Sequence, residues 1–344
     1  MTPLQRYIAE EIATDHVDGL LSRREAMRRL GLLGLTTAAA TALIAACGGS
    51  DKSTSNAPVT SSEPATSPAT SPATAAAEPP GSAKALPTTP TTWAGPQGEL
   101  QAAWAEAPNA RGGILVIHEN KGLNDWVRSV AGRFAGIGYS ALAIDLLSGQ
   151  GGTAKFTDPA QATAALGQIP PQEFVANLKS GVDELARRVP GKKLAVVGFC
   201  MGGGLTWQVL AAGEPRLAAA FPFYGPAPDN PDFRGSKDVA VLAFYGEQDQ
   251  RVNATEPTVR AALEQAGLVH ELVTEPNANH AFFNDTGDRY NAKAALEKAG
   301  LVHELVTEPD ANHAFFNDTG DRYNATAADD AWRRVQDWLT KYVG

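Results

Sequence analysis

The stretch Leu194-Ala195-Val196-Val197-Gly198-Phe199-Cys200-Met201-Gly202-Gly203-Gly204-Leu205 decides the fold. Residues 194–198 are an unbroken apolar run, the pattern of a short strand buried on both faces. Residues 202–212 read as a helix. Between them stands Gly198-Phe199-Cys200-Met201-Gly202, of the form G-x-C-x-G. A strand that turns at once into a helix, with a nucleophile at the apex, is a nucleophile elbow, here with sulfur in place of a hydroxyl. The glycines let the turn close and let neighbouring chains pass. The turn lifts Cys200 above the sheet at the start of a helix. The helix dipole there favours a thiolate over a thiol of ordinary pKa, about 8.5. A lone cysteine is more often a buried apolar residue, but the elbow position outweighs that reading.

Outward from this point the same alternation continues. Residues 113–117, 139–144, 218–223, 239–244 and 269–273 read as strands. Residues 123–137, 174–189 and about 327–342 read as helices. Continuous apolar strands separated by helices predict an α/β-hydrolase-type, mostly parallel, doubly wound sheet with helices on both faces. Ligands then bind at the carboxyl ends of the strands.

The N-terminal quarter is different in kind. Arg23-Arg24, with Arg28 and Arg29 after them, precede an uncharged run over residues 30–46 that ends at Leu43-Ile44-Ala45-Ala46-Cys47-Gly48. This reads as an export signal over residues 1–46 with a lipobox, in which Cys47 is acylated and becomes the new N-terminus. The arginine pair resembles a twin-arginine signal, although Glu25-Ala26 follow it. Residues 47–92 are Ser, Thr, Ala and Pro with repeats such as Ser67-Pro68-Ala69-Thr70. That composition predicts an extended, disordered tether. The folded domain is expected over 93–344, on the outer face of a bacterial membrane.

Of the 344 residues, 43% are apolar, enough for a sizeable core, and the net charge is −9. The acidic balance argues against nucleic acid as a partner. The two cysteines, Cys47 and Cys200, lie too far apart in sequence and role for a disulfide framework or a redox pair. No metal-ligand cluster and no cofactor motif is visible. Oligomeric state is not legible.

A thiol nucleophile needs a base and an acid that orients it. In this architecture the chain order is nucleophile, acid, histidine. Asp249 follows the strand 239–244 in Tyr245-Gly246-Glu247-Gln248-Asp249. Further on stands Asn279-His280-Ala281-Phe282, so His280 has the right order and place. His270 and His303 sit inside strand patterns and read as packing or surface residues.

Three segments carry a resemblance. The elbow Gly198-Phe199-Cys200-Met201-Gly202-Gly203, the segment Ile117-His118-Glu119-Asn120-Lys121-Gly122-Leu123 and the segment His280-Ala281-Phe282-Phe283-Asn284-Asp285 together resemble the dienelactone hydrolase family. The resemblance covers the globular domain. It implies hydrolysis of an ester or lactone through a thioester acyl-enzyme, with no cofactor. It implies that Glu119 contacts the resting thiol and helps form the thiolate. It also implies an oxyanion hole from the backbone N–H groups of Met201 and Asn120. Two arginines with which the family binds a substrate carboxylate have no counterpart. One place is Asn284 (or Asn317), and residues 146–173 contain Lys155 but no arginine. A neutral small-molecule ester or lactone fits better than dienelactone. A general carboxylesterase or thioesterase, and a catalytically inactive binding lipoprotein, are the other readings.

Residues 261–292 and 294–325 are nearly identical, differing at Gln265/Lys298 and Asn277/Asp310. This tandem duplication offers two bases, His280 and His313, for one nucleophile. The expectation leans to His280 at Cys200, with the second copy adding a helix and an edge strand; the alternative is that His313 serves, residues 253–291 bulge out, and the final helix directly follows the His313 loop.

Overall fold

The computed structural model describes residues 1–17, 21–47, 81–275, 280, 291–295, 310–312 and 325–344. Their elements in chain order begin with helices α1 (Pro3–Val17), α2 (Arg23–Leu32) and α3 (Thr37–Cys47). Then follow β1 (Thr89–Gly95), β2 (Gly98–Ala105), β3 (Gly112–Ile117), α4 (Asp125–Gly136), β4 (Tyr139–Asp145), α5 (Pro159–Gly167) and α6 (Pro171–Arg188). The second half holds β5 (Leu194–Phe199), α7 (Met201–Ala211), β6 (Leu217–Phe223), β7 (Ala240–Gly246), α8 (Gln250–Asn253), α9 (Glu256–Ala266) and β8 (His270–Glu275). Last come β9 (Asn291–Ala295), β10 (Asp310–Asn312) and α10 (Ala325–Tyr342).

The sheet has eight strands in the order β1-β2-β4-β3-β5-β6-β7-β8. From β4 to β8 every neighbouring pair is parallel, and β1 and β2 are antiparallel additions at one edge. Strands β3, β4, β5 and β7 are buried along their whole length. That is why they read as continuous apolar runs without alternation. Helix α6 shows how the covering layer is specified. Proline at its first position sets the entry dihedral, Phe174, Leu178, Val182 and Leu185 fall on one buried stripe, and Glu184 pairs with Arg187 and Arg188 near its end. At the carboxyl ends of β5, β6 and β7, Phe199, Phe223 and Phe244 sit side by side. Their ring centroids are 5.1 and 4.3 Å apart in successive pairs. Each such aromatic pair adds about 0.5–1.5 kcal/mol beyond its buried area. This aromatic row is the floor on which the elbow rests.

One sequence expectation is corrected here. The tether was expected to run to residue 92, yet β1 begins at Thr89 and a short 3-10 turn spans Ser82–Lys84. Strand β1, Thr-Pro-Thr-Thr-Trp-Ala-Gly, is a half-exposed edge strand with Pro90 in it. Edge strands tolerate proline and polar residues, so its composition hides it in the Thr/Pro tract. Its partner β2, Gly-Glu-Leu-Gln-Ala-Ala-Trp-Ala, lies inside the sheet, but its polar start and small alanines give it no continuous apolar run. The uncharged run at 30–46 is shared between two helices. It breaks between α2 and α3 at a turn in which Gly34 has φ 88°. Among the described residues, no helix is long and apolar enough to cross a membrane.

The chain divides into two units, one of residues 1–8 with 78–344 and one of residues 9–77. The first copy of the repeat supplies the last part of α9, from residue 261, and β8, which pairs in parallel with β7. Of the second copy, β10 and the end of β9 are described, paired antiparallel in a separate two-stranded sheet. His313 and the helix and strand expected of that copy lie outside the described residues.

Candidate active site

The elbow is built by close approach. Cys200 has φ 55° and ψ −117°, a left-handed conformation unfavourable for a residue with a Cβ. Its amide donates to the Phe223 carbonyl at 3.1 Å, and its own carbonyl accepts from Gly204 N–H at 3.1 Å. A Cβ on Gly198 would lie 2.1 Å from the Gly202 carbonyl oxygen. One on Gly202 would lie 2.5 Å from the Ile117 oxygen and 2.7 Å from that of His118. Side chains are excluded at both positions, and the start of α7 touches the carboxyl end of β3. That contact brings Met201, first in α7, beside the loop that carries Glu119 and Asn120. The carbonyl of Asn120 accepts from Thr163 Oγ1 at 2.8 Å, which fixes that loop on α5.

Cys200 Sγ lies 3.3 Å from His280 Nε2, and His280 Nδ1 lies 2.5 Å from Asp249 Oδ2. Asp249 caps α8, its Oδ1 accepting from Val252 N–H at 3.3 Å. The carboxylate is thus held by one oxygen and faces the imidazole with the other. All three groups are at least 95% buried. In this low-dielectric setting the attraction between the charges formed on proton transfer is stronger than in water, and it offsets part of the cost of burying them. Chemically, a sulfur, a ring nitrogen and a carboxylate in line can pass a proton from thiol to imidazole and hold the resulting cation.

Sequence reasoning did not reach four residues here. Tyr224, which directly follows β6, donates its hydroxyl to Glu119 Oε1 at 3.2 Å and sets its ring edge-on to His280 at 5.7 Å. Burial pushes the Tyr224 hydroxyl well above its usual range, and the Glu119 charge adds to this, so it remains a donor. Its signal was its place at a strand's carboxyl end, at φ 36°. His118, wholly buried, faces the Glu119 carbonyl with Nδ1 at 2.6 Å and accepts from Leu146 N–H at Nε2 at 3.1 Å. The acceptor role of Nε2 puts the proton on Nδ1. Burial pushes its pKa down, partly countered by nearby Asp145. The other two are Arg251, in α8, and Tyr7, whose hydroxyl is 3.3 Å from Cys200 Sγ and 3.0 Å from His280 Nε2.

The model of the Dienelactone hydrolase family matches residues 100–299 and 293–343. The chain belongs to the dienelactone hydrolase family. The family match comes in two pieces that meet at the repeat. An Escherichia coli K12 protein with the provisional name carboxymethylenebutenolidase is 28% identical over 265 residues, which is 72% of this chain and 85% of that protein. A Methylorubrum extorquens protein with the same provisional name is 29% identical over 242 residues, 67% of this chain and 72% of the relative. Among solved structures, a provisionally named dienelactone hydrolase from Klebsiella pneumoniae covers 74% of this chain and 99% of its own. It has a TM-score of 0.55 and 26% identity. As a dienelactone hydrolase family member, the chain is a hydrolase of esters or lactones.

Proposed function

We propose that this dienelactone hydrolase family member cleaves a neutral carboxylic ester or lactone by acyl transfer to Cys200. His280 takes the thiol proton, and Asp249 orients the imidazole and holds its charge. The thiolate attacks the acyl carbon, and the N–H groups of Met201 and Asn120 meet the charge as it develops on oxygen. The acyl C–O bond then breaks, and the leaving oxygen takes the proton from His280. Water, deprotonated by His280, splits the thioester into a carboxylic acid and the thiol. Glu119, held by the Tyr224 hydroxyl on the loop after β3, is a second proton acceptor for the resting thiol and in that way helps form the thiolate. In the same reading the chain is exported, cut before Cys47 and lipid-anchored there, so that it works at a membrane surface.

The observation that carries the reading is the line from Cys200 Sγ through both ring nitrogens of His280 to Asp249 Oδ2. Turnover of p-nitrophenyl acetate should vanish in Cys200→Ala. His280→Ala should lose about 10²–10⁴-fold, the usual share of general-base help. His313→Ala should stay near the parent. Turnover that survives in Cys200→Ala would end the thiol mechanism. Loss on His313→Ala instead of His280→Ala would exchange the two repeats.

A further inference from the structure

The position of Tyr7 deepens the proposed mechanism and rests on it. Its phenolic oxygen lies 3.3 Å from the nucleophilic sulfur and 3.0 Å from the nitrogen that protonates a leaving group. That is where the departing oxygen of an ester must stand in the step that breaks the acyl C–O bond. The Arg251 guanidinium lies over the Tyr7 ring, 4.2 Å from its centroid, and an Arg251 Nη1 hydrogen bonds the Tyr7 carbonyl at 3.0 Å. A ring edge-on to His280 at 6.1 Å completes the arrangement. Arg251 is two residues beyond Asp249, so the turn that fixes the acid also fixes this cation.

We propose that the site has a subsite for an aromatic leaving group, walled by Arg251, and that Tyr7 of the chain's own N-terminal helix fills it. The substrate class is then an ester of a phenol. The thiolate forms the S–C bond, the phenolic oxygen departs with the C–O electron pair, and His280 supplies its proton. The released phenol and Tyr7 are chemically alike, so the N-terminal segment is a tethered product analogue that competes with substrate. If the segment occupies the subsite about nine-tenths of the time, the apparent KM rises about tenfold while kcat stays unchanged.

The full chain and its Tyr7→Ala variant should be compared in two ways. The first is the rate at which iodoacetamide alkylates Cys200, read by peptide mass so that Cys47 is scored separately. The second is the KM and kcat for p-tolyl acetate. Tyr7→Ala should be alkylated about tenfold faster and show a KM about tenfold lower at equal kcat. Added p-cresol should restore slow alkylation to Tyr7→Ala, and Arg251→Met on that background should weaken this protection. Alkylation no faster in Tyr7→Ala overturns the occupancy, and indifference to p-cresol overturns the subsite. Both alkylation readouts need no ester turnover. They therefore stand apart from the test of the thiol mechanism, which fails only if Cys200→Ala still turns over ester.

Discussion

His118 joins two loops with its two ring nitrogens, the one after β3 at Glu119 and the one after β4 at Leu146. The bond accepted from Leu146 requires the neutral ring, because a protonated Nε2 can only donate, and burial holds the His118 pKa below the ordinary value. The unfolded chain, with an imidazole near pKa 6.5, binds a proton that the folded chain refuses. Stability from this residue is therefore present above about pH 6.5 and lost as pH falls below it. The slope is at most about 1.4 kcal/mol per pH unit. His118→Asn keeps a donor toward Glu119 and removes the titration. Urea unfolding at pH 7.5 and 5.5 should show a smaller difference for the variant than for the parent, and equal differences would discard the account. Tyr224 makes the complementary case. Tyr224→Phe removes one hydrogen bond to a carboxylate and no packing volume. A bond to a charged group is worth about 1.5–3 kcal/mol, so kcat/KM should fall by about 10- to 100-fold. A thermal midpoint within a few degrees of the parent would go with that loss, whereas unchanged kinetics would remove Tyr224 from the positioning of Glu119.

At the scale of elements, the junction between β5 and α7 sets the geometry, because α7 starts against the backbone of β3. Gly202→Ala places a methyl 2.5 Å from the Ile117 oxygen, and backbone cannot yield as a side chain end can. Overpacking of this kind destabilises by about 1–3 kcal/mol. It also pushes Met201 away from the Asn120 loop, so activity should fall further than stability, measured as kcat/KM at a temperature where both proteins are folded. Full activity in Gly202→Ala would mean that the spacing of helix and strand is not critical. This junction was legible because it is coded locally, by glycine spacing and an apolar strand. The parallel strands were legible because burial on both faces leaves them uniformly apolar. The hairpin of β1 and β2 was not, since β1 is an exposed edge that needs no such pattern and β2 mixes polar residues and alanines with its few large apolar ones. The nearness of Cys200, Asp249 and His280 could be guessed from chain order. The contacts of Tyr224, His118, Arg251 and Tyr7 could not, because each pairs residues far apart in sequence through side-chain direction alone.

At the scale of the whole molecule, the two proposals meet at one peptide bond. Tyr7 and Cys47 lie on the same N-terminal arm, and a cut before Cys47 removes Tyr7 with the leader. On these two proposals, the event that anchors the enzyme would also vacate the aromatic subsite, and the precursor would be held back until it is processed. The precursor with Cys47→Ala should resist processing, stay out of the membrane-anchored pool and retain slow alkylation at Cys200. Processed protein taken from the membrane fraction should react with iodoacetamide about as fast as full-length Tyr7→Ala, about tenfold above the precursor. The phenol affinities should follow the same division, with p-cresol protecting the processed form and Tyr7→Ala but hardly the precursor. A processed form as slow to alkylate as the precursor would separate export from relief of inhibition. A Cys47→Ala chain that is still cut and membrane-bound would end the lipid-anchor reading, and with it the coupling of the two events.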